Sequence, residues 1–117
     1  MPQPQPQPLD RLFLALADPA RRGMVEQLSR GPASVKELAR PANMRLPSAL
    51  KHLRVLEDGG VVVSRKVGRT RTYAMRPEAL APIRDWMRVH EAALNAAFDR
   101  LAQALADMPD ESAESEP

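Results

Sequence analysis

The chain of 117 residues contains no cysteine. Disulfides, thiolate metal sites, iron–sulfur clusters and thiol-based redox sensing are thereby excluded. Aromatic residues amount to 3%: Phe13, Tyr73, Trp86 and Phe98. That is too few for the stacking platforms that hold single-stranded nucleic acids. No apolar run approaches the ~20 residues needed to span a bilayer. The opening MPQPQPQP has neither the basic nor the apolar stretch of a signal peptide, so a cytoplasmic protein without membrane contact is expected. A glycine-rich phosphate loop, a paired-histidine zinc helix and a nucleophile elbow are also missing. The expectation is therefore a protein that is not an enzyme and has no cofactor and no metal site.

What is present is unevenly spread charge. The net charge of +2 comes from 17 Lys and Arg against 15 Asp and Glu. Five of the acids (Asp107, Asp110, Glu111, Glu114, Glu116) lie beyond Ala106, where there is no base. Residues 40–76 hold nine bases (Arg40, Arg45, Lys51, Arg54, Arg65, Lys66, Arg69, Arg71, Arg76) against Glu57 and Asp58. A basic segment between neutral and acidic ends points to a polyanionic partner, set against the plainer reading of a solvated basic face.

Hydrophobic spacing and punctuation give the element order. Residues 1–8 alternate proline and glutamine and predict a disordered or polyproline-like arm. Residues 107–117 predict a disordered acidic tail, because they lack the apolar area to offset the entropy of ordering. Between them, 9–106 should form one folded unit. Leu9, Leu12, Phe13 and Leu16 mark one face of a short helix. Asp18-Pro19 caps and starts a second helix, which buries Met24, Val25 and Leu28 and ends at Gly31-Pro32. Ser34 and Glu37 form a capping box for a third helix, which ends at Pro41.

A fourth helix begins near Pro47. Its spacing turns Leu46, Ala49, Leu53 and Leu56 inward and Pro47, Ser48, Lys51, Arg54 and Val55 outward, until Gly59-Gly60 closes it. Two β-branched runs around Val67-Gly68-Arg69 predict a hairpin with a basic tip. A last helix from Pro82 to Ala106 would be about 37 Å long. The fold class is thus mainly α with a small β-hairpin: a winged helix-turn-helix.

That order carries a function. The major groove of B-DNA admits one helix, whose outward side chains read base edges. The fourth helix offers Ser48, Lys51 and Arg54, flanked by Arg45 and His52. The hairpin offers Arg65, Lys66, Arg69 and Arg71 to phosphates or the minor groove. Double-stranded DNA is the expected partner.

Three segments bear a family likeness: Leu14-Ala-Leu-Ala-Asp-Pro-Ala-Arg-Arg22, then Met44 to Val62 (MRLPSALKHLRVLEDGGVV), then Val67-Gly-Arg-Thr-Arg-Thr-Tyr73. They resemble the opening signature, recognition helix and wing of the arsenic-repressor (ArsR) family of bacterial winged-helix regulators. The likeness spans about Leu9 to Leu105. It implies a homodimeric repressor that releases DNA on binding an effector. It places Ser48, Lys51, His52 and Arg54 at or beside the groove and Arg69 and Arg71 on the wing. Leu50 stands where the family usually has a serine that bonds DNA. Two family metal sites are lacking: the Cys-x-Cys pair on the helix that here reads Ser34 to Ala39, and the Asp-x-His with a later His-x-x-Glu on the last helix, where only Asp85, His90, Glu91 and Asp99 occur.

A dimer built from the first and last helices is expected. Its interface would combine Leu9, Leu12, Phe13 and Leu16 with Ile83, Trp86, Met87, His90, Leu94, Phe98 and Leu101; the near-heptad apolar stripe of the last helix runs from Ile83 through Met87, His90, Leu94, Leu101 and Leu105 to Met108. His90 on this stripe reads as a packed interface residue before it reads as a ligand. Two other functions are weighed. One is a protein-interaction module that has lost DNA binding, which Leu50 slightly favours and the basic wing opposes. The other is a metal or small-ligand sensor using His90 and nearby carboxylates.

Overall fold

A computed structural model of the chain describes residues 8–109. The expectations for the Pro/Gln arm and the acidic tail therefore fall largely on residues outside those described. Contacts divide the chain into two compact units, with the boundary between Ile83 and Arg84.

The first unit begins with α1 (Pro8–Leu16) and α2 (Pro19–Leu28), so helix starts one residue before the expected boundary at Leu9. Asp18 sits between them in an extended conformation. Its carboxylate accepts from the backbone N–H groups of Ala20 (2.8 Å) and Arg21 (3.2 Å), which the helix itself leaves unpaired. Ala33–Ser34 forms a two-residue strand, β1, ahead of α3 (Val35–Ala39). The capping box is present in both directions: Glu37 N–H donates to Ser34 Oγ (3.3 Å), and Ser34 N–H donates to Glu37 Oε1 (3.1 Å).

Next comes α4 (Leu46–Asp58), with Ala49, Leu53 and Leu56 fully buried. Leu46, expected to share that face, is exposed, because the first residue of the helix lies beyond the edge of the core. Gly60 ends α4 at φ +76°. Its N–H donates to Glu57 O (3.0 Å) and Val61 N–H donates to Leu56 O (2.9 Å). This is the Schellman pattern, with Leu56 and Val61 as its apolar pair, both at 0% exposure.

The hairpin pairs β2 (Val62–Val67) with β3 (Thr70–Met75), so Val67 ends a strand rather than opening the turn. Gly68 takes φ +63° at the first central position of a two-residue turn, where a side chain would be strained. The missed strand β1 lies antiparallel to β3, with Ala33 opposite Tyr73, giving the order β1-β3-β2. Two residues are too short to show alternation, which is why the sequence did not reveal it.

The core gathers Met24, Leu28, Leu38, Leu53, Leu56, Val61 and Tyr73. Leu12 belongs to it too, at 2% exposure. Expected at a dimer surface, Leu12 is covered within its own chain instead, since α1 packs against α4. Leu16 and Ile83 are half-buried against the same core, and Leu9 is half-buried, whereas Phe13 is exposed.

The second unit is the body of α5 (Ala81–Ala106), followed by a turn in which Gln103 Nε2 donates to Asp107 (3.1 Å). No residue of α5 is buried. Trp86, Met87, Leu94, Phe98, Leu101 and Leu105 are all large, apolar and exposed. His90 stacks on Trp86 with ring centroids 4.3 Å apart, and its Nδ1 donates to Trp86 O at 2.8 Å.

Candidate nucleic-acid interface

Helical periodicity and strand alternation together decide which basic side chains meet. Ala49, Leu53 and Leu56 hold one face of α4 in the core, so Ser48, Lys51, Arg54 and Val55 project away from it, all exposed. Leu50 is 45% exposed, so it does not pack inward, and a leucine side chain stands on the outer surface. Arg45 is the N-cap residue of α4 and is exposed, and no side chain caps this helix start.

In the hairpin, Val62, Ser64 and Lys66 share one face with Met75, Tyr73 and Arg71. Val62 and Tyr73 bury that face, so its outer end turns Lys66 and Arg71 to the same side as α4. Lys66 and Arg71 are directly opposite each other, a like-charge pairing that costs stability unless an anion lies against it. Arg71 is steadied by donating from Nη1 to Ser64 Oγ at 2.9 Å. Arg65 falls on the opposite face, across from Thr72, beside exposed Val63 and Val67. The four basic wing residues therefore do not share one face. Arg69 occupies the turn itself and is exposed.

Between α4 and β3 lies an open cleft of about 550 Å³, lined by Pro47, Leu50, Lys51, Arg54, Glu57, Asp58, Arg71 and Tyr73. It brings Leu50, Lys51, Arg54 and Arg71 together from two elements. Tyr73 is its floor, and burial raises its phenol pKa above the ordinary value, with Glu57 adding to the shift and Arg71 opposing it. The phenol is neutral at physiological pH. Glu57 and Asp58 close the end of the cleft near the C-terminus of α4, so the positive surface runs along its N-terminal two-thirds.

His52 lies on the other flank of α4 and is half-buried. Its Nδ1 is 3.3 Å from Nη1 of Arg21, a residue of α2. Arg21 and Ser64 were absent from the residues picked out in the sequence. The period-2 alternation of the hairpin would have found Ser64, which shares a face with Arg71. Arg21 lies in the Leu14–Arg22 segment that bears the family likeness, but no local pattern could have shown its pairing with His52, 31 positions away. Elsewhere, no group of three or more His, Cys, Asp or Glu side chains comes together among the described residues. No described helix is long and apolar enough to cross a membrane.

The same segments match known proteins. A family model described as a helix-turn-helix domain matches residues 16–65, which run from the end of α1 into β2. Over 75 residues the chain is 43% identical to the HTH-type transcriptional regulator Rv2034 of Mycobacterium tuberculosis, covering 64% of this chain and 70% of that one. It is 27% identical over 79 residues to the transcriptional repressor SdpR of Bacillus subtilis, covering 68% of this chain and 88% of the relative. A crystal structure of an ArsR family transcriptional regulator matches with a TM-score of 0.72 at 43% identity, over 76% of this chain and 98% of that one. With the recognition helix, the wing and these relatives in agreement, the chain belongs to the ArsR family of winged helix-turn-helix, DNA-binding transcriptional regulators.

Proposed function

We propose that the protein is a repressor that binds a palindromic operator as a homodimer, its own promoter being the first site to try. The observation that carries this reading is the cleft. Lys51 and Arg54 of α4 and Arg71 of β3 line one surface, and Glu57 and Asp58 bound it at one end. Phosphates are attracted along the N-terminal two-thirds of α4 and repelled from its last turn. That matches a recognition helix entering the major groove by its N-terminal residues. In this arrangement Lys51 and Arg54 bond guanine edges or adjacent phosphates, Ser48 bonds a base edge or a phosphate, and Leu50 contacts a thymine methyl. Arg45, Lys66, Arg69 and Arg71 hold the backbone.

Pairing of two copies is supported by the bare apolar side chains of α5, which a helix facing only water does not carry. Phe13 and the half-buried Leu9 on α1 add to the surface to be covered. A self-complementary interface would bury these stripes in pairs and set two recognition helices about one DNA turn apart, roughly 34–36 Å. A gel shift with DNA from upstream of the coding region, followed by footprinting, tests the reading. A footprint with two-fold symmetry is expected, and equal affinity for that DNA and a scrambled duplex would overturn it.

A further inference from the structure

The guanidinium of Arg21 joins three helices. Its Nε donates to Ala15 O at 2.6 Å and its Nη2 to Leu14 O at 2.9 Å, closing the C-terminal end of α1. Nη1 lies 3.9 Å from Asp18 Oδ2 at the cap of α2. The same Nη1 reaches Nδ1 of His52, on α4, at 3.3 Å. The side chain is only 15% exposed, and three other partners fix it in place.

A guanidinium has five donors and no acceptor. Nδ1 of His52 must therefore accept, and the ring proton resides on Nε2. That second nitrogen makes no hydrogen bond among the described residues. No unpartnered side-chain nitrogen or oxygen is buried there either, so Nε2–H reaches solvent. It does so on the flank of α4 one turn from Ser48, which is exposed.

We propose that Arg21 is a positioning residue of the DNA interface: it fixes His52 as the Nε2–H tautomer, and this N–H donates to a phosphate oxygen of the DNA backbone. A phosphate can only accept, so the opposite tautomer would set a lone pair against it. With Arg21 in place, α4 meets the backbone with its donor already oriented. The same guanidinium ties the seat of α4 to the junction between α1 and α2. This inference rests on the DNA-binding reading above and adds a residue that touches no DNA.

The test has two levels. Nitrogen-15 NMR of histidine-labelled full-length protein, without DNA, should show His52 with Nδ1 unprotonated and Nε2 protonated, and Arg21→Lys should mix the tautomers, because a lysine lacks the fork. DNA affinity is then measured on the duplex from upstream of the coding region. His52→Asn keeps an acceptor facing Arg21 and loses the outward donor. It should hold its melting temperature and bind about tenfold more weakly, with an unchanged salt slope because no charge is lost. His52→Gln, whose amide nitrogen stands near the place of Nε2, should recover most of that loss. A His52 proton on Nδ1 in the free protein overturns the proposal, and so does His52→Asn binding as tightly as wild type. Wild-type protein that binds no duplex overturns both this proposal and the reading beneath it, which separates the two failures. Should Arg21→Lys fold poorly, the His52 pair still decides the matter.

Discussion

Gly59 and Gly23 show how differently two glycines of one fold are constrained. A Cβ on Gly59 would lie 2.8 Å from Ala15 Cβ and 3.1 Å from Arg11 O, so α1 approaches α4 through this gap. Gly59→Ala should destabilise by about 1–3 kcal/mol in denaturant melts, because a helix must move. Gly23 lies inside α2 with nothing within 4 Å of a Cβ. Gly23→Ala should stabilise by about 0.5–1 kcal/mol in the same measurement. At the proposed DNA surface, Lys51→Ala and Arg54→Ala should leave helix content unchanged, since both side chains are exposed. Each that makes a bidentate base contact should cost about 1–3 kcal/mol of discrimination, read as the ratio of operator to random-DNA affinity.

Helix starts are where elements respond to acid. Backbone N–H donation, from Arg21 to Asp18 and from Ser34 to Glu37, is the main cause that lowers each carboxyl pKa below its ordinary value. Each group therefore binds its proton more weakly in the folded chain than in the unfolded one. Its contribution to stability is complete above the unfolded carboxyl range, about pH 4, and is lost as pH falls through the lowered folded value. Asp18→Asn keeps an acceptor at the cap but removes the titration. Its melting temperature should fall less than that of wild type between pH 7 and pH 3.

The wing is a second element with its own signature. In the proposed complex Arg69 and Arg71 oppose phosphates, and such pairings add affinity without reading sequence. Replacing both by alanine should weaken specific and random binding by similar factors. The slope of log affinity against log salt should become shallower by about one unit for each phosphate no longer neutralised. A double variant with the full wild-type slope would mean that the wing does not touch DNA. Arg65, on the outer face of the hairpin, should change that slope least of the wing bases.

At the scale of the whole molecule, the unanswered demand is apolar. Phe98 is 60% exposed and Leu94 56%, on a helix with no buried residue. If two copies cover this stripe, Leu94→Glu and Phe98→Glu place charge where water is excluded. Sedimentation velocity at micromolar concentration should then show a dimer for the wild type and a monomer for the double variant. Operator affinity should be lost together with dimerisation, while the first unit keeps its fold, because its core draws on neither residue. A wild-type monomer at that concentration would remove the dimer from the proposed function.

Local chemistry decided most of the elements. Asp18-Pro19, the Ser34–Glu37 capping box, Pro47 and Gly59-Gly60 place helix ends through hydrogen bonds that span a few residues, so they are legible in the chain itself. The outward set Ser48, Lys51 and Arg54 follows from a fixed helical period, and the hairpin from two β-branched runs around Gly68. Tertiary structure decided what depends on partners distant in sequence. It gave Leu12 to the chain's own core, because α4 lies against α1, and it made Ala33–Ser34 a strand, because β3 supplies the hydrogen bonds. It separated Arg65 from Lys66 and Arg71 by fixing which hairpin face is buried. It also brought Arg21 to His52, since a pairing across 31 residues leaves no periodicity in the chain from which it could be read.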